Sequence, residues 1–239
     1  MIGALTNVIL SSVTAISLVL GTCQALLAAP AEEYDYSQPV PVSEQKGDEW
    51  FYDSAIIGHS LMEGFEMFAK VNSNIHYFTN TGLSAAGAST YSSFDLPGGG
   101  SGTLADGLSR KQFSKIYIML GVNEISISGE RFKDNMAAVI QTIRDNQPEG
   151  IPIYVLELTP TTRAKSNASA FDRENVRKLN GALAELCEEQ ECYLVDLFSC
   201  FADADGYLPA DISTDGVHLK AAQYRIMADY ILSHTVDEG

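Results

Sequence analysis

Residues 54–71 read SAIIGHSLMEGFEMFAKV. From Ser54 to Gly58 every residue is apolar or small, the pattern of a strand buried on both faces. From Leu61 to Val71 the apolar residues return at helical spacing instead. Only His59 and Ser60 separate the two patterns, so a strand passes into a helix across a turn that carries a hydroxyl. The same alternation continues along the chain. Ile75–Thr79, Lys115–Leu120, Ile153–Leu158 and Cys192–Phe198 read as further strands, while Arg131–Asn146, Phe171–Glu189 and Ala221–His234 carry helical spacing. Alternating strands and helices predict an α/β fold, with a parallel sheet of about five strands between helices on both sides. No internal repeat interrupts it. One stretch breaks the pattern: Ser84–Arg110 holds AAGAST, YSSFD and LPGGGSGT, and its Gly and Ser content predicts no regular element before about Thr103. Its length favours a mobile loop beside a site over a plain surface connection.

With 46% hydrophobic and 19% charged residues in 239, the chain can bury a full core in one domain. Its net charge of -16, with no block of Lys and Arg, repels phosphate backbones and argues against nucleic-acid partners. The first charged side chain is Glu32, and before it an apolar run extends from Val8 to Ala29. That run fits a signal peptide or a membrane anchor, with a buried core helix as the plainer reading. Ala28, Ala29 and Ala31 suit a signal-peptidase site, although only the α-amino group supplies positive charge ahead of the run. Residues 1–31 are therefore expected to direct the protein out of the cytoplasm. Residues 32–50, acidic and broken by Pro39 and Pro41, read as a linker, and 51–239 as the functional domain. Cys187, Cys192 and Cys200 lack CxxC spacing and a neighbouring histidine, which argues against zinc. A Cys187–Cys192 disulfide is compatible with export, and buried thiols are the simpler expectation. Asp203-Ala204-Asp205-Gly206 opens like a calcium loop but lacks the later ligands, so it reads as a surface turn.

In a doubly wound sheet, ligands sit outside the carboxyl ends of the strands. Ser60 follows the first strand, Asn80-Thr81-Gly82 the second and Gly121-Val122-Asn123-Glu124 the third, while Asp215-Gly216-Val217-His218 precedes the last helix. Singly these are a helix cap, turn residues and a half-buried histidine. Together they supply the parts of a nucleophilic site. A serine hydroxyl needs a base to take its proton during attack, and His218 can serve. Asp215 would hold the imidazole tautomer and stabilise the imidazolium. The oxyanion of a tetrahedral intermediate needs fixed donors, available from the N–H groups of Ser60 and Gly82 and the Asn123 amide. Ser84 is a rival nucleophile, but no strand ends immediately before it. The Gly-x-Ser-x-Gly pattern is absent at Ser60, because Met62 takes its final position.

This set resembles the SGNH (GDSL-like) hydrolase family, whose blocks contribute Ser, Gly, Asn and His in that order. Ser60 matches the nucleophile, Gly82 and Asn123 the oxyanion residues, and Asp215 with His218 the closing DxxH pair. The resemblance spans about Ser54 to His234. It implies a flavodoxin-like three-layer α/β/α sandwich acting as esterase, lipase, thioesterase or carbohydrate deacetylase, without metal or organic cofactor. Two positions depart from it. His59 stands where the first block has Asp, and Glu124 where the third has Asp. The first change could loosen the turn that aims Ser60; His59 is read as a structural replacement, with a second proton carrier as the alternative. The leading expectation is a serine esterase that removes short acyl groups, acetyl above all, from a small-molecule or polysaccharide ester. Three other readings stand beside it: a lysophospholipase or thioesterase for longer chains, a silent carbohydrate-binding protein on the same fold, and a flavodoxin-like electron carrier. The last is disfavoured because no phosphate-cradling loop follows the first strand.

Overall fold

Strand β1 (Ser54–Gly58) is buried at all five positions and passes through His59 into helix α1 (Ser60–Phe68) in the computed structural model, which describes residues 34–237. Glycine at position 58 is dictated by this tight join, since a Cβ there would stand 2.3 Å from Met62 Cγ. Next come β2 (Ile75–Thr79), α2 (Ala85–Ala88), the hairpin strands β3 (Phe94–Asp95) and β4 (Ser101–Gly102), and α3 (Leu104–Arg110). Then follow β5 (Ile116–Met119), α4 (Gly129–Asn146), β6 (Ile153–Leu156), α5 (Arg163–Ala168) and α6 (Arg173–Gln190). The chain finishes with β7 (Tyr193–Val195), α7 (Leu197–Phe201) and α8 (Ala221–Leu232).

The main sheet has the order β2-β1-β5-β6-β7, with every pair parallel. That is the flavodoxin-like order, in which the chain reverses direction across the sheet between β1 and β5. Helices α1 and α8 pack together on one face. On the other, α2, α3, α4 and α6 share one core with Ala55, Ile57, Ile116, Ile118, Ile153 and Val155. The alternate residues Ile56, Tyr117 and Tyr154 are buried toward α1, where the Phe51 ring meets Phe65 and Tyr117. Both strand faces are thus covered, which explains the unbroken apolar runs. Tyr117, Tyr154 and Tyr193 are register partners on adjacent strands, and their rings follow one another at 5.0 Å between centroids.

Several expectations change. Ser84–Arg110 is not an irregular loop up to Thr103: it forms α2, the β3–β4 hairpin and α3. Burial of Ala85, Ala88, Phe94 and Leu96 compensates for its Gly and Ser content, and Gly98, Gly99 and Gly100 turn the hairpin at positive φ. The last strand stops at Val195 because the Asp196 carboxylate accepts the Ser199 N–H at 2.8 Å and starts α7. Residues 35–50, expected as a linker, are laid along the domain. Val40 is 2% exposed, and its N–H reaches Leu194 O at 2.7 Å. Ser43 and Lys46 donate to the carbonyls of Ser233 and Leu232 at the end of α8. An extended strap needs few apolar residues to be held, so composition concealed it. The expected signal peptide or anchor, residues 1–31, lies outside the described residues. Among the described residues no helix is long and apolar enough to cross a membrane. Cys187, Cys192 and Cys200 are free thiols, and burial pushes Cys192 up to about 12.

Candidate active site

His59, fully buried, is the N-cap of α1: its Nδ1 accepts the Leu61 N–H at 3.3 Å. An acceptor at Nδ1 leaves the neutral ring's proton on Nε2, which is buried without a partner among the described residues. Burial first, and the nearby His218 second, push the His59 pKa down to about 3. The ring is therefore neutral at ordinary pH and acts as a cap, the structural replacement expected for the missing Asp. Because His59 caps the helix, Ser60 is its first residue rather than its cap. Ser60 Oγ lies 2.8 Å from His218 Nε2.

His218 is carried by a turn that holds itself. One Asp215 oxygen accepts the N–H groups of Val217 and His218 at 2.9 and 2.8 Å, and the other lies 2.7 Å from His218 Nδ1. Desolvation works to raise the Asp215 pKa, but the His218 N–H and ring, with the Val217 N–H, outweigh it and lower it to about 2. The ionised carboxylate keeps a proton on Nδ1 and turns Nε2 toward Ser60 as an acceptor. Gly216 has φ +94, and a Cβ there would lie 2.7 Å from Lys165 Cβ and 2.9 Å from Thr162 Oγ1. Its N–H donates to Ser213 Oγ, and its carbonyl accepts the Thr162 N–H, both at 2.9 Å.

The opposite side is assembled from several elements. Asn80 N–H bonds Gly58 O at 3.1 Å, bringing the turn after β2 beside the end of β1. Gly82 sits at φ +85 with open space where a Cβ would be. Glu63 on α1 accepts both the N–H and the hydroxyl of Thr81. The Asn123 side-chain amide donates to Leu83 O at 2.9 Å, and Glu124 accepts the Ala85 N–H at 2.6 Å and the Asn135 amide at 3.3 Å. Glutamate at position 124 thus ties the turn after β5 to the start of α2 and to α4. Among the described residues neither the Ser60 nor the Gly82 N–H is spent on another acceptor.

The structure therefore joins Ser60, His218 and Asp215 in one hydrogen-bonded chain, and joins Asn123 to the Gly82 turn through Leu83. The site stands at the switch point between β1 and β5, on the carboxyl rim where this sheet order places ligands. Ser84 is elsewhere employed, its Oγ accepting the Gly87 N–H as the cap of α2. Sequence reasoning missed Glu63, Thr162 and the bonding of Glu124. Only Glu63 left a signal, since it lies three residues after Ser60 and so on the same helix face. Among the described residues no group of three His, Cys, Asp or Glu is placed to hold a metal ion. Asp203 instead closes a surface turn, its carboxylate accepting the N–H groups of Asp205 and Tyr207.

The GDSL-like Lipase/Acylhydrolase family matches residues 56–226. The chain belongs to that family, and with it to the serine ester hydrolases. No curated protein matches it in sequence. Among solved structures, a Streptococcus pneumonia protein is 22% identical, with TM-score 0.59 over 75% of this chain and 82% of its own. An acetyl xylan esterase is 14% identical, with TM-score 0.58 over 77% and 100%. A variant of an acetyl-xylooligosaccharide esterase from Geobacillus Stearmophilus is 12% identical, with TM-score 0.54 over 82% and 95%. At such identities these neighbours attest the shared fold.

Proposed function

We propose that this protein is an exported esterase that removes acetyl or similarly short acyl groups from a carbohydrate, with Ser60 as nucleophile, His218 as base and Asp215 as its orienter. The observation that carries the reading is the unbroken chain from Ser60 Oγ through His218 to Asp215, at 2.8 and 2.7 Å. His218 takes the Ser60 proton as Oγ attacks the ester carbonyl. The oxyanion is received by the Ser60 and Gly82 N–H groups and the Asn123 amide. His218 then returns the proton to the leaving alkoxide, and water repeats the sequence on the acyl-enzyme.

Short acyl chains are favoured by the segment after Gly82. Its apolar residues Phe94, Leu96 and Leu104 are buried in the core, leaving mainly Gly, Ser and Thr outward, with Ala86 and Asp95. A long chain gains about 0.8 kcal/mol per buried methylene only against apolar walls. The carbohydrate half draws support from the acetyl xylan and acetyl-xylooligosaccharide esterases among the neighbours. Export rests on the apolar run Val8–Ala29. Ser60→Ala should abolish hydrolysis of 4-nitrophenyl acetate, and a serine-directed phosphonate should label Ser60 alone. Across acetyl, butyryl, octanoyl and palmitoyl esters, kcat/KM should fall with length. Labelling at another serine would overturn the nucleophile, and a profile that climbs with length would overturn the short-chain assignment.

A further inference from the structure

The two backbone donors of the oxyanion site come from different segments, yet both must meet one oxygen. Ser60 N–H belongs to the first residue of α1, and Gly82 N–H to the turn after β2. That turn is closed by the Leu83 N–H, which donates to Asn80 O at 3.0 Å, with Thr81 and Gly82 at its centre. Thr81 keeps a negative φ while Gly82 takes φ +85, which makes the turn type II. In a type I turn with the same closing bond, the central peptide would be rotated by about 160°, and Gly82 N–H would point to the other side. Gly82 thus sets the direction of this donor. Its place is set by a neighbour. Glu63, one turn along α1 from Ser60 and on the same face, accepts the Thr81 N–H at 2.9 Å on one carboxylate oxygen and the Thr81 hydroxyl on the other. On the other flank of Ser60, Gly58 O accepts the Asn80 N–H at 3.1 Å. The segment that carries the nucleophile therefore holds the turn from both sides of Ser60.

We propose that Glu63 is a positioning residue for the reaction: by holding Thr81 at two points, it keeps the Gly82 N–H converged with the Ser60 N–H on the oxyanion. The proposal rests on the ester-hydrolase reading above. Two bonds to one carboxylate fix more than a location. The N–H bond holds the Thr81 backbone and the hydroxyl bond holds its χ1, and both are charge-assisted. The link is also short, since Glu63 reaches the residue directly before Gly82 from a helix that begins at the nucleophile. A displacement of Ser60 with α1 therefore takes Gly82 along, and the spacing of the two donors survives. The benefit falls in the transition state, because the ground-state carbonyl offers little charge for the donors to meet. Acceptor geometry is what the site uses here, so an amide in place of the carboxylate can still hold the Thr81 N–H.

The test measures kcat and KM for 4-nitrophenyl acetate on the full chain, alongside the unfolding temperature. Glu63→Ala should lower kcat by at least about tenfold and leave KM within about twofold, because a displaced donor is lost to the transition state and not to binding. Glu63→Gln keeps an acceptor for the Thr81 N–H and should return kcat to within about threefold of wild type. Thr81→Val removes only the hydroxyl bond and should cost kcat about threefold. A wild type that cleaves the ester while Glu63→Ala keeps its kcat overturns the positioning role and leaves the esterase reading intact. A rise in KM at unchanged kcat overturns it too, since Glu63 would then act on bound substrate. So does a loss in Glu63→Gln as deep as in Glu63→Ala. If Glu63→Ala does not fold, Thr81→Val decides alone, and a wild-type kcat in that variant overturns the proposal. No cleavage by the wild type overturns the reading on which it rests.

Discussion

The two turns that flank Ser60 are held by opposite means. The base turn, Ser213–Leu219, is secured mostly from within: Asp215 binds the backbone of Val217 and His218, and the hydroxyl of Ser213 binds Gly216 N–H and His218 O. The oxyanion turn, Asn80–Ala85, is fastened from outside by Glu63 on α1 and by Asn123 and Glu124 after β5. Even their glycines differ. Both sit at positive φ, but Gly216 is pressed against Thr162 and Lys165, whereas Gly82 faces open space. A short internally bonded turn needs few outside residues, so its geometry is carried by Ser213, Asp215 and His218 themselves. A turn pinned by three side chains depends on the registry of the elements that carry them.

The largest effect that tests this contrast is Asp215→Asn. The amide oxygen can still accept the Val217 and His218 N–H groups, so the turn and the unfolding temperature should hardly change. Losing the carboxylate at Nδ1 permits the wrong tautomer, so kcat should fall by about 10²–10⁴. A large drop in unfolding temperature would show that the charge, rather than the acceptor geometry, holds the base turn.

An intermediate effect is expected on the other side. Asn123→Ala should lower kcat by about 10²–10³ with little change in KM, the usual range for one oxyanion donor. Glu124→Ala releases the Ala85 N–H and should cost kcat about tenfold, while Glu124→Gln keeps one acceptor and should stay within about threefold of wild type. Because Asn123 and Glu124 fasten the same turn, the double variant Asn123→Ala/Glu124→Ala should lose less than the product of the single losses. Strictly multiplicative losses would mean that the two residues act independently and that the clamp is not one unit.

The smallest effect concerns pH. Burial, then the hydrogen bond and charge of Asp196, push Glu157 up to about 8 from 4.5. A group whose folded pKa is raised contributes stability in full below its unfolded value and loses it as pH rises through the folded one. Relative to Glu157→Gln, the wild type should therefore lose unfolding temperature as pH rises from about 4.5 to about 8, a difference that cancels the opposite contribution His59 makes in both proteins. Glu157 precedes Thr162, which fastens Gly216, yet a self-contained base turn should not sense it. The two proteins should show the same kcat at low temperature across that range, measured alongside the melting curves. Parallel melting curves would mean that the pair is not a stability switch; diverging kcat values would mean that the base turn leans on its surroundings.

Legibility followed the same division. The strands β1, β5 and β6 were readable because burial on both faces leaves unbroken apolar runs, and strand–helix alternation pointed to a parallel sheet between helices, while its flavodoxin-like order came only from the family resemblance. Asp215 and His218 were readable because their geometry is made within four residues. The clamp was not: Glu63 and Glu124 look like solvated carboxylates until folding brings Thr81 and Ala85 to them. The 84–103 segment misled for a related reason, since four buried side chains among many Gly and Ser residues suffice to fix a short helix and a hairpin. His59 gave mixed signals, because a capping imidazole and a proton carrier have the same letter and only burial separates them.

The strap over residues 35–50 has a further consequence. β7 is the last strand of its sheet, and an uncovered border strand invites a second chain to pair with it. Val40 donates to the Leu194 carbonyl, and the Tyr36 ring lies 5.4 Å from that of Tyr193, so part of this border is covered from within the chain. The segment that composition marks as a linker thus lies over the border strand of the sheet. A domain cut at residue 51, where the sequence alone would place its start, would keep Ser60, Asp215 and His218 and leave the β7 border uncovered, so its tendency to associate should rise above that of a domain starting at residue 35.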